Sequence, residues 1–319
     1  MATYKGIQGY SVEVLASDPT ASETVGQLWY NGAFKIATEG AGSWATGTSM
    51  TTVRAFGAGT GQGTQTATLS FGGSIPAATA NNESYDGSTW TELANLQAAR
   101  ERLGGFGITT AAVAAGGGFP VAVDLCETWE GTSWTEVNNL TTARMQSSGI
   151  GLQSAGLYVG GTPGSGYSAL SESWDGTSWT ATPVISTARY GAGGTGSSTA
   201  ALYVGGYDGS NEDKVESWNG SAWSEGTVIN TARRGVGISG TSQTSTLVFG
   251  GAPNGVSGLT ESWNGSAWTE VADLATAREV LVGTGTSALA LAFGGQSPIT
   301  GATEEWSDPT YVIKTVTTS

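Results

Sequence analysis

The sequence predicts an all-β protein made of four-stranded antiparallel units repeated around a closed ring, and three observations predict it. A Trp recurs at 90, 134, 179, 223 and 268, in steps of 44, 45, 44 and 45. A diglycine and an arginine each keep the same period. Asp-Gly or Asn-Gly pairs stand just before the Trp in four of the units, and such pairs supply the positive φ angles of a tight hairpin.

The elements of one unit follow in order. An arginine opens it: Arg54, Arg100, Arg144, Arg189, Arg233 and Arg278 each lie ten residues after a Trp, and they are six of the chain's eight arginines. A small, Gly-rich stretch such as Gly235-Val236-Gly237-Ile238 makes the first strand. An apolar run such as Thr246-Leu247-Val248-Phe249 makes the second and ends in the diglycine, found at 72–73, 116–117, 160–161, 205–206, 250–251 and 294–295. The third strand carries Glu-Ser-Trp or a near copy, at Glu83, Glu127, Glu172, Glu216 and Glu261. The fourth begins at Trp90, Trp134, Trp179, Trp223 or Trp268. A decayed sixth copy is Glu304-Glu305-Trp306, with Tyr311 where the second Trp is expected. No 3.6-residue apolar period survives across a unit, which argues against helices. A four-stranded unit of this length, repeated, is the blade of a β-propeller.

The count of blades turns on the N-terminus. Trp44 lies ten residues before Arg54, so the first segment already ends like a repeat. Tyr10–Ala16, Gln27–Asn31, Phe34–Thr38 and Trp44–Gly47 read as four short strands. The expectation is therefore seven blades, the first degenerate, with the ring closing beside Tyr311–Thr317. The alternative is six blades, with residues 1–47 as an N-terminal attachment segment and residues 48–319 as the propeller.

Diglycine, an aromatic about a dozen residues later, Trp soon after, then Arg opening the next unit, resembles the kelch repeat over residues 54–311. The chain departs from it in having Trp, or once Tyr85, as the first aromatic, and in the shortness of the repeat. The resemblance implies a propeller that acts by holding a partner on one face. In some kelch proteins arginines near this register contact acidic ligands. Others are copper radical oxidases, which need His ligands, and this chain has no His.

Composition narrows the function further. Only 12% of residues are charged, about half the usual ~25%. A content of 51 Gly is shared with disordered chains, but 12 Trp, 10 Tyr and 7 Phe supply the apolar surface that disordered chains lack. The formal net charge of −14 disfavours nucleic acid and anionic membranes, which select basic surfaces. The absence of His removes the commonest general base, the commonest transition-metal ligand and the Ser-His and Cys-His nucleophile pairs. Cys126, the single cysteine, cannot close a disulfide within the chain. No apolar run reaches the ~20 residues of a membrane span, and the start lacks the apolar stretch of a secretory leader. The expectation is a non-enzymatic protein without cofactor or metal.

Comparing the repeats with one another separates what the scaffold fixes from what it leaves free. The hairpins before each Trp hardly vary, whereas the loops after the diglycines share nothing. In a four-stranded blade those loops lie on the same face as the loop entering strand one, and unlike loops on a rigid ring are a common way to build a binding surface. The candidate ligand-binding residues are Phe119, Tyr167, Tyr207, Asp208, Asn211, Glu212, Asp213 and Lys214. Asp208–Asp213 also carries oxygen ligands of the kind Ca²⁺ takes, but occurs once and lacks full loop spacing. Ser84-Tyr85-Asp86-Gly87-Ser88-Thr89-Trp90 looks like the Asp box of sialidases with Asp and Gly one residue too close, and that motif is a structural turn. The repeated Trp residues read as the core between blades. The six arginines read as partners of Glu83, Glu127, Glu172, Glu216, Glu261 and Glu304.

Residues 17–35, with acidic-Pro, then Gly-Gln-Leu-Trp-Tyr-Asn, then a return strand ending in Lys35, resemble a segment common in virion proteins of tailed phages. Asn-Gly-Ser-Ala-Trp followed by Thr-Ala-Arg is similar to kelch proteins of phages that infect aquatic bacteria. The resemblance implies a virion protein, such as a tail-fibre or adhesin component, assembled in the host cytoplasm. Its partners would be other virion proteins, or a host surface glycan or receptor, with homo-oligomers open. An intracellular kelch interaction module is the second reading, and a glycan-active enzyme using carboxylates and tyrosines the third.

Overall fold

The structure is a computed structural model and describes residues 12–14, 28–30, 33–39, 42–118, 120–308 and 311–315. Among the described residues all regular elements are strands. Among the described residues no helix is long and apolar enough to cross a membrane. By contacts the chain forms two compact units, Trp44–Ser307 and a smaller one of Met1–Ser43 with Asp308–Ser319.

The smaller unit is one four-stranded sheet in the order β1 (Val12–Val14), β2 (Leu28–Tyr30), β3 (Phe34–Glu39), then the last strand of the chain, Tyr311–Thr315. The first two strands run parallel and the other pairs antiparallel. The expectation of seven blades is corrected here. An up-and-down blade has no parallel pair; residues 15–27, between β1 and β2, are long enough for the crossover that parallel pairing requires. Likewise Tyr311 does not fill the sixth blade's Trp position, because its strand pairs with β3. The larger unit has six blades.

Those blades take up the rest of the chain. After β4 (Ser43–Thr46), blade one holds β5 (Ala58–Gly59), β6 (Thr68–Phe71), β7 (Asn82–Tyr85) and β8 (Trp90–Leu93). Blade two holds β9 (Gly104–Ile108), β10 (Ala111–Ala115), β11 (Cys126–Trp129) and β12 (Trp134–Glu136). Blade three holds β13 (Ser148–Leu152), β14 (Ala155–Val159), β15 (Ser171–Trp174) and β16 (Trp179–Thr182). Blade four holds β17 (Gly193–Gly196), β18 (Ala201–Val204), β19 (Val215–Trp218) and β20 (Trp223–Glu225). Blade five holds β21 (Gly237–Ser242), β22 (Ser245–Phe249), β23 (Thr260–Trp263) and β24 (Trp268–Val271). Blade six has only β25 (Val282–Gly285), β26 (Leu289–Phe293) and β27 (Thr303–Ser307) of its own, and its fourth strand is β4. Trp44 therefore completes the last blade instead of ending a first one. The first and last strands of the larger unit share that sheet, which closes the ring.

Each blade boundary has its own core, and the aromatics are its bulk. The two aromatics of strands three and four face each other directly, as Trp129↔Trp134 and Trp174↔Trp179 do. Ring centroids in such pairs lie 5.0–5.6 Å apart, and Trp44 meets Trp306 at 5.5 Å in the same way. The fourth-strand Trp then packs on the neighbouring blade: Trp134 on Phe71 at 4.8 Å, Trp90 on Phe293 at 5.0 Å, Trp44 on Phe249 at 4.9 Å. Aromatic pairs of this kind are worth about 0.5–1.5 kcal/mol beyond the area they bury. The Trp residues of the larger unit are accounted for as scaffold.

The arginine register is scaffold too. Arg54, Arg100 and Arg144 pair with Glu83, Glu127 and Glu172, and Arg189, Arg233 and Arg278 with Glu216, Glu261 and Glu304, the last three at 2.5, 3.1 and 2.7 Å. All twelve side chains are buried. Burial lowers the guanidinium of Arg233, and the charge of Glu261 opposes that. The second carboxylate oxygen accepts the amide N–H three residues before the arginine, at Gln97, Thr141, Ser186, Asn230 and Ala275 (2.6–2.8 Å). One glutamate thus ties strand three to the linker that enters its own blade. The arginine's carbonyl is also used. It accepts from the second glycine of the preceding blade's diglycine in all six steps, Gly295 to Arg54 included, at 2.9–3.0 Å. Position, charge and diglycine recur together because they form one joint.

Candidate functional site

Counting outward from each register arginine builds an axial well layer by layer. Two residues on stand Phe56, Arg102, Gln146, Gly191, Gly235 and Val280, and all six take left-handed φ, from 50° to 65°. The amide N–H groups of the last five donate to the carbonyl of the same position one blade earlier, at 2.7–3.0 Å. Five backbone bonds thus run around the rim like a drawstring. Three residues on, Gly57, Leu103, Ser147, Ala192, Val236 and Leu281 make a throat. Five residues on, glycine occupies every blade but the fifth, which has Ile238. A Cβ on Gly149 or Gly283 would come within 2.8 and 2.2 Å of the neighbouring strand's carbonyl, so these inner strands approach so closely only where the layer is glycine, Ile238 being its one side chain. The space they leave is about 140 Å³.

The two ends of this channel differ. At the hairpin face, Gln62 of blade one crosses the axis, its Nε2 donating to the Gly196 carbonyl of blade four at 2.7 Å. Its amide N–H donates to Gly107 of blade two at 3.1 Å. At the other face, a well of about 190 Å³ is lined by Phe56, Arg102, Gln146, Tyr190, Arg234, Glu279, Val280 and Gln296 with the rim glycines.

Charge and aromatic surface gather at that well. Arg102 lies over the Phe56 ring at 4.2 Å, with Nε 3.3 Å from Glu101. Arg234 lies over the Tyr207 ring at 4.8 Å and donates to Asn211 Oδ1 at 3.4 Å. Tyr190 sits against Tyr207 at 5.5 Å and Tyr167 at 5.9 Å, and Tyr167 meets Tyr207 at 6.1 Å. Burial raises the Tyr190 phenol, and the positive charge of Arg234 works against that. Glu279 is held by Gln296 Nε2 at 3.0 Å. The site offers two guanidiniums, the lining carboxylate of Glu279 with that of Glu101 behind Arg102, amides and aromatic faces. It can bind polar ligands and orient them.

The residues expected from sequence divide. Tyr167 and Tyr207 are brought together, and Asn211 joins them by donating to the Pro253 carbonyl and accepting from Arg234. Glu212 and Asp208 pair with Lys214 at 3.0 and 3.9 Å, and the Asp213 carbonyl accepts from Ile229; Tyr207 and Asn211 flank the well through Arg234, and none of the seven described candidates is among the residues that line it. Phe119 lies outside the described residues. Among the described residues no group of three His, Cys, Asp or Glu side chains is placed to hold a metal ion.

Tyr190, Arg234, Arg102, Gln146 and Glu279 are absent from the sequence-based candidates. A signal existed. The two residues after the register arginine read Ala-Phe, Glu-Arg, Met-Gln, Tyr-Gly, Arg-Gly and Glu-Val, as unlike as the diglycine loops they pair with at Tyr190↔Tyr207 and Glu279↔Gln296.

No protein-family model matches the chain, and no curated protein matches it in sequence. Among solved structures it is similar to YjhT, with a TM-score of 0.66 and 13% identity over 85% of this chain and 97% of that one. At that identity the likeness speaks for the fold: the chain is a β-propeller.

Proposed function

We propose that this chain is a kelch-type propeller that works by binding, without catalysis, as a virion component of a tailed phage. Its well face recognises a host surface polymer or another virion protein. The observation that carries the reading is the asymmetry of the axis. One end is bridged by Gln62, while the other opens as a well in which no two blades present the same pair of residues after the register arginine. Rigid scaffolds with one varied, concave face are the common design of repeat proteins that bind. The phage assignment is supported by the resemblance of residues 17–35 and of the repeat style to virion proteins.

The test has two arms. Mass spectrometry of purified virions from a phage encoding the chain should find it among the structural proteins; its absence there would favour an intracellular interaction module. On a glycan array the wild-type chain should be retained, and replacing Tyr167 and Tyr207 by Ala should abolish retention without altering the melting temperature. Unchanged retention would remove the well face from the reading, and release of a cleaved product would replace the adhesin with an enzyme.

A further inference from the structure

Four of the six left-handed rim positions carry a side chain: Phe56, Arg102, Gln146 and Val280. Blades four and five show that Gly191 and Gly235 make the same rim bonds. Left-handed backbone carries a cost for any other residue, and for a β-branched one such as Val280, at φ 50°, it is a true outlier. The rim bond itself does not require these side chains, since glycine serves where it occurs, and only Phe56 and Arg102 pack on each other. What they share is the well.

The arginines sharpen this. Eight arginines occur in the chain; six are buried in the register pairs, and the other two, Arg102 and Arg234, both line the well. They come from blades two and five, opposite each other in a ring of six. Glu279 lines the same space. A simple anion would meet that carboxylate unfavourably, as would an acidic peptide. A ligand bearing both an anionic group and hydroxyls suits all three, with the anion at the guanidiniums and hydroxyls donating to Glu279. Tyr190 and Phe56 add aromatic surface for an apolar ring face.

We propose that the well holds one acidic sugar residue, its carboxylate or sulfate between Arg102 and Arg234, with Phe56, Gln146 and Val280 as specificity-determining contacts. This rests on the binding reading above and names its ligand class.

The experiment is calorimetric titration of the full chain with four probes: an oligogalacturonate, a sulfated galacto-oligosaccharide, the neutral galacto-oligosaccharide and a hexaglutamate peptide. One or both acidic sugars should bind, with the neutral sugar and the peptide at least tenfold weaker. Arg102→Gln and Arg234→Gln should each weaken the acidic sugar tenfold or more while the melting temperature stays within a few degrees. Val280→Gly should weaken it at least threefold and raise the melting temperature, because it relieves the backbone. Equal binding of the neutral sugar, or tighter binding of the peptide, overturns the proposal while leaving the well as a binding site. Val280→Gly with unchanged affinity overturns the role of the rim side chains. If none of the four probes binds, the acidic-sugar assignment fails, and retention on the glycan array then decides separately whether the well face binds at all.

Discussion

Arg233 and Arg234 are neighbours in the chain and opposites in the structure. Arg233 is fully buried, paired with Glu261, and its carbonyl accepts from Gly206 of the preceding blade. Arg234 points into the open well, stacked on Tyr207. The first belongs to a joint that six blades repeat; the second occurs once. Arg100 and Arg102 show the same split, one in the register pair with Glu127 and the other at the well. The difference teaches that repetition marks what holds the ring together, and departure from the repeat marks what the ring presents.

The largest effect should come from breaking the repeated joint. Arg233→Met leaves the Glu261 carboxylate buried without its cation, and losing one partner of a buried pair costs about 3–5 kcal/mol. Denaturant unfolding should show a loss of that order. Full stability would mean that the pair is ornamental.

Next in size is the closure of the ring. Trp44→Ala removes the half-buried aromatic that meets Trp306 and Phe249 in blade six, and since truncating a fully buried large aromatic costs about 3–5 kcal/mol, a loss of about 2 kcal/mol is expected. If the chain instead had a separate first blade, the loss would leave blade six intact. Limited proteolysis distinguishes the two: early cuts should appear around residues 289–307.

A subtler contrast separates hairpins of the same shape. Asp86 accepts the amide N–H groups of Ser88 and Thr89 at 2.8 Å, and Asn219 accepts those of Ser221 and Ala222 at 2.9 Å. These bonds hold the Asp86 carboxyl down to about 2, and the same arrangement depresses Asp175. A carboxyl depressed in the folded state adds stability above its ordinary value, near 4, and loses it as pH falls toward 2. Asp86→Asn with Asp175→Asn should therefore melt like the wild type at pH 7 and lose less stability on acidification. Parallel curves from pH 7 to pH 2 would contradict the assignment.

The smallest effect on stability belongs to the other half of the comparison. Arg234→Gln removes no buried partner, so unfolding should change by less than about 0.5 kcal/mol. A loss comparable to that of Arg233→Met would make Arg234 scaffold.

Most of the fold was legible in the sequence because each joint repeats. The period, the diglycine, the Arg–Glu match and the Trp pairs all follow from one inter-blade geometry used six times. Blade number was not legible. A Trp ten residues before Arg54 fits the end of a first blade as well as the end of a last one, since a ring has no privileged start. Only the pairing of β4 with β27 separates the two, and that contact spans the whole chain. The candidate site was legible only at its margin. Tyr167 and Tyr207 stood out in unlike loops, but Arg234 was hidden beside Arg233, where the strength of the repeat drew attention one residue too early. The acidic loop Asp208–Asp213 stood out by composition, and in the structure Asp208 and Glu212 pair with Lys214 while the Asp213 carbonyl accepts from Ile229.

Hydrogen exchange of the chain saturated with the best-retained oligosaccharide on the array tests the binding site most directly. Protection should centre on residues 55–56, 101–102, 190–191, 207–211, 234–235 and 279–280, with the hairpins at 86–89, 175–178, 219–222 and 264–267 unchanged. Protection confined to those hairpins, or to the smaller sheet, would contradict the account.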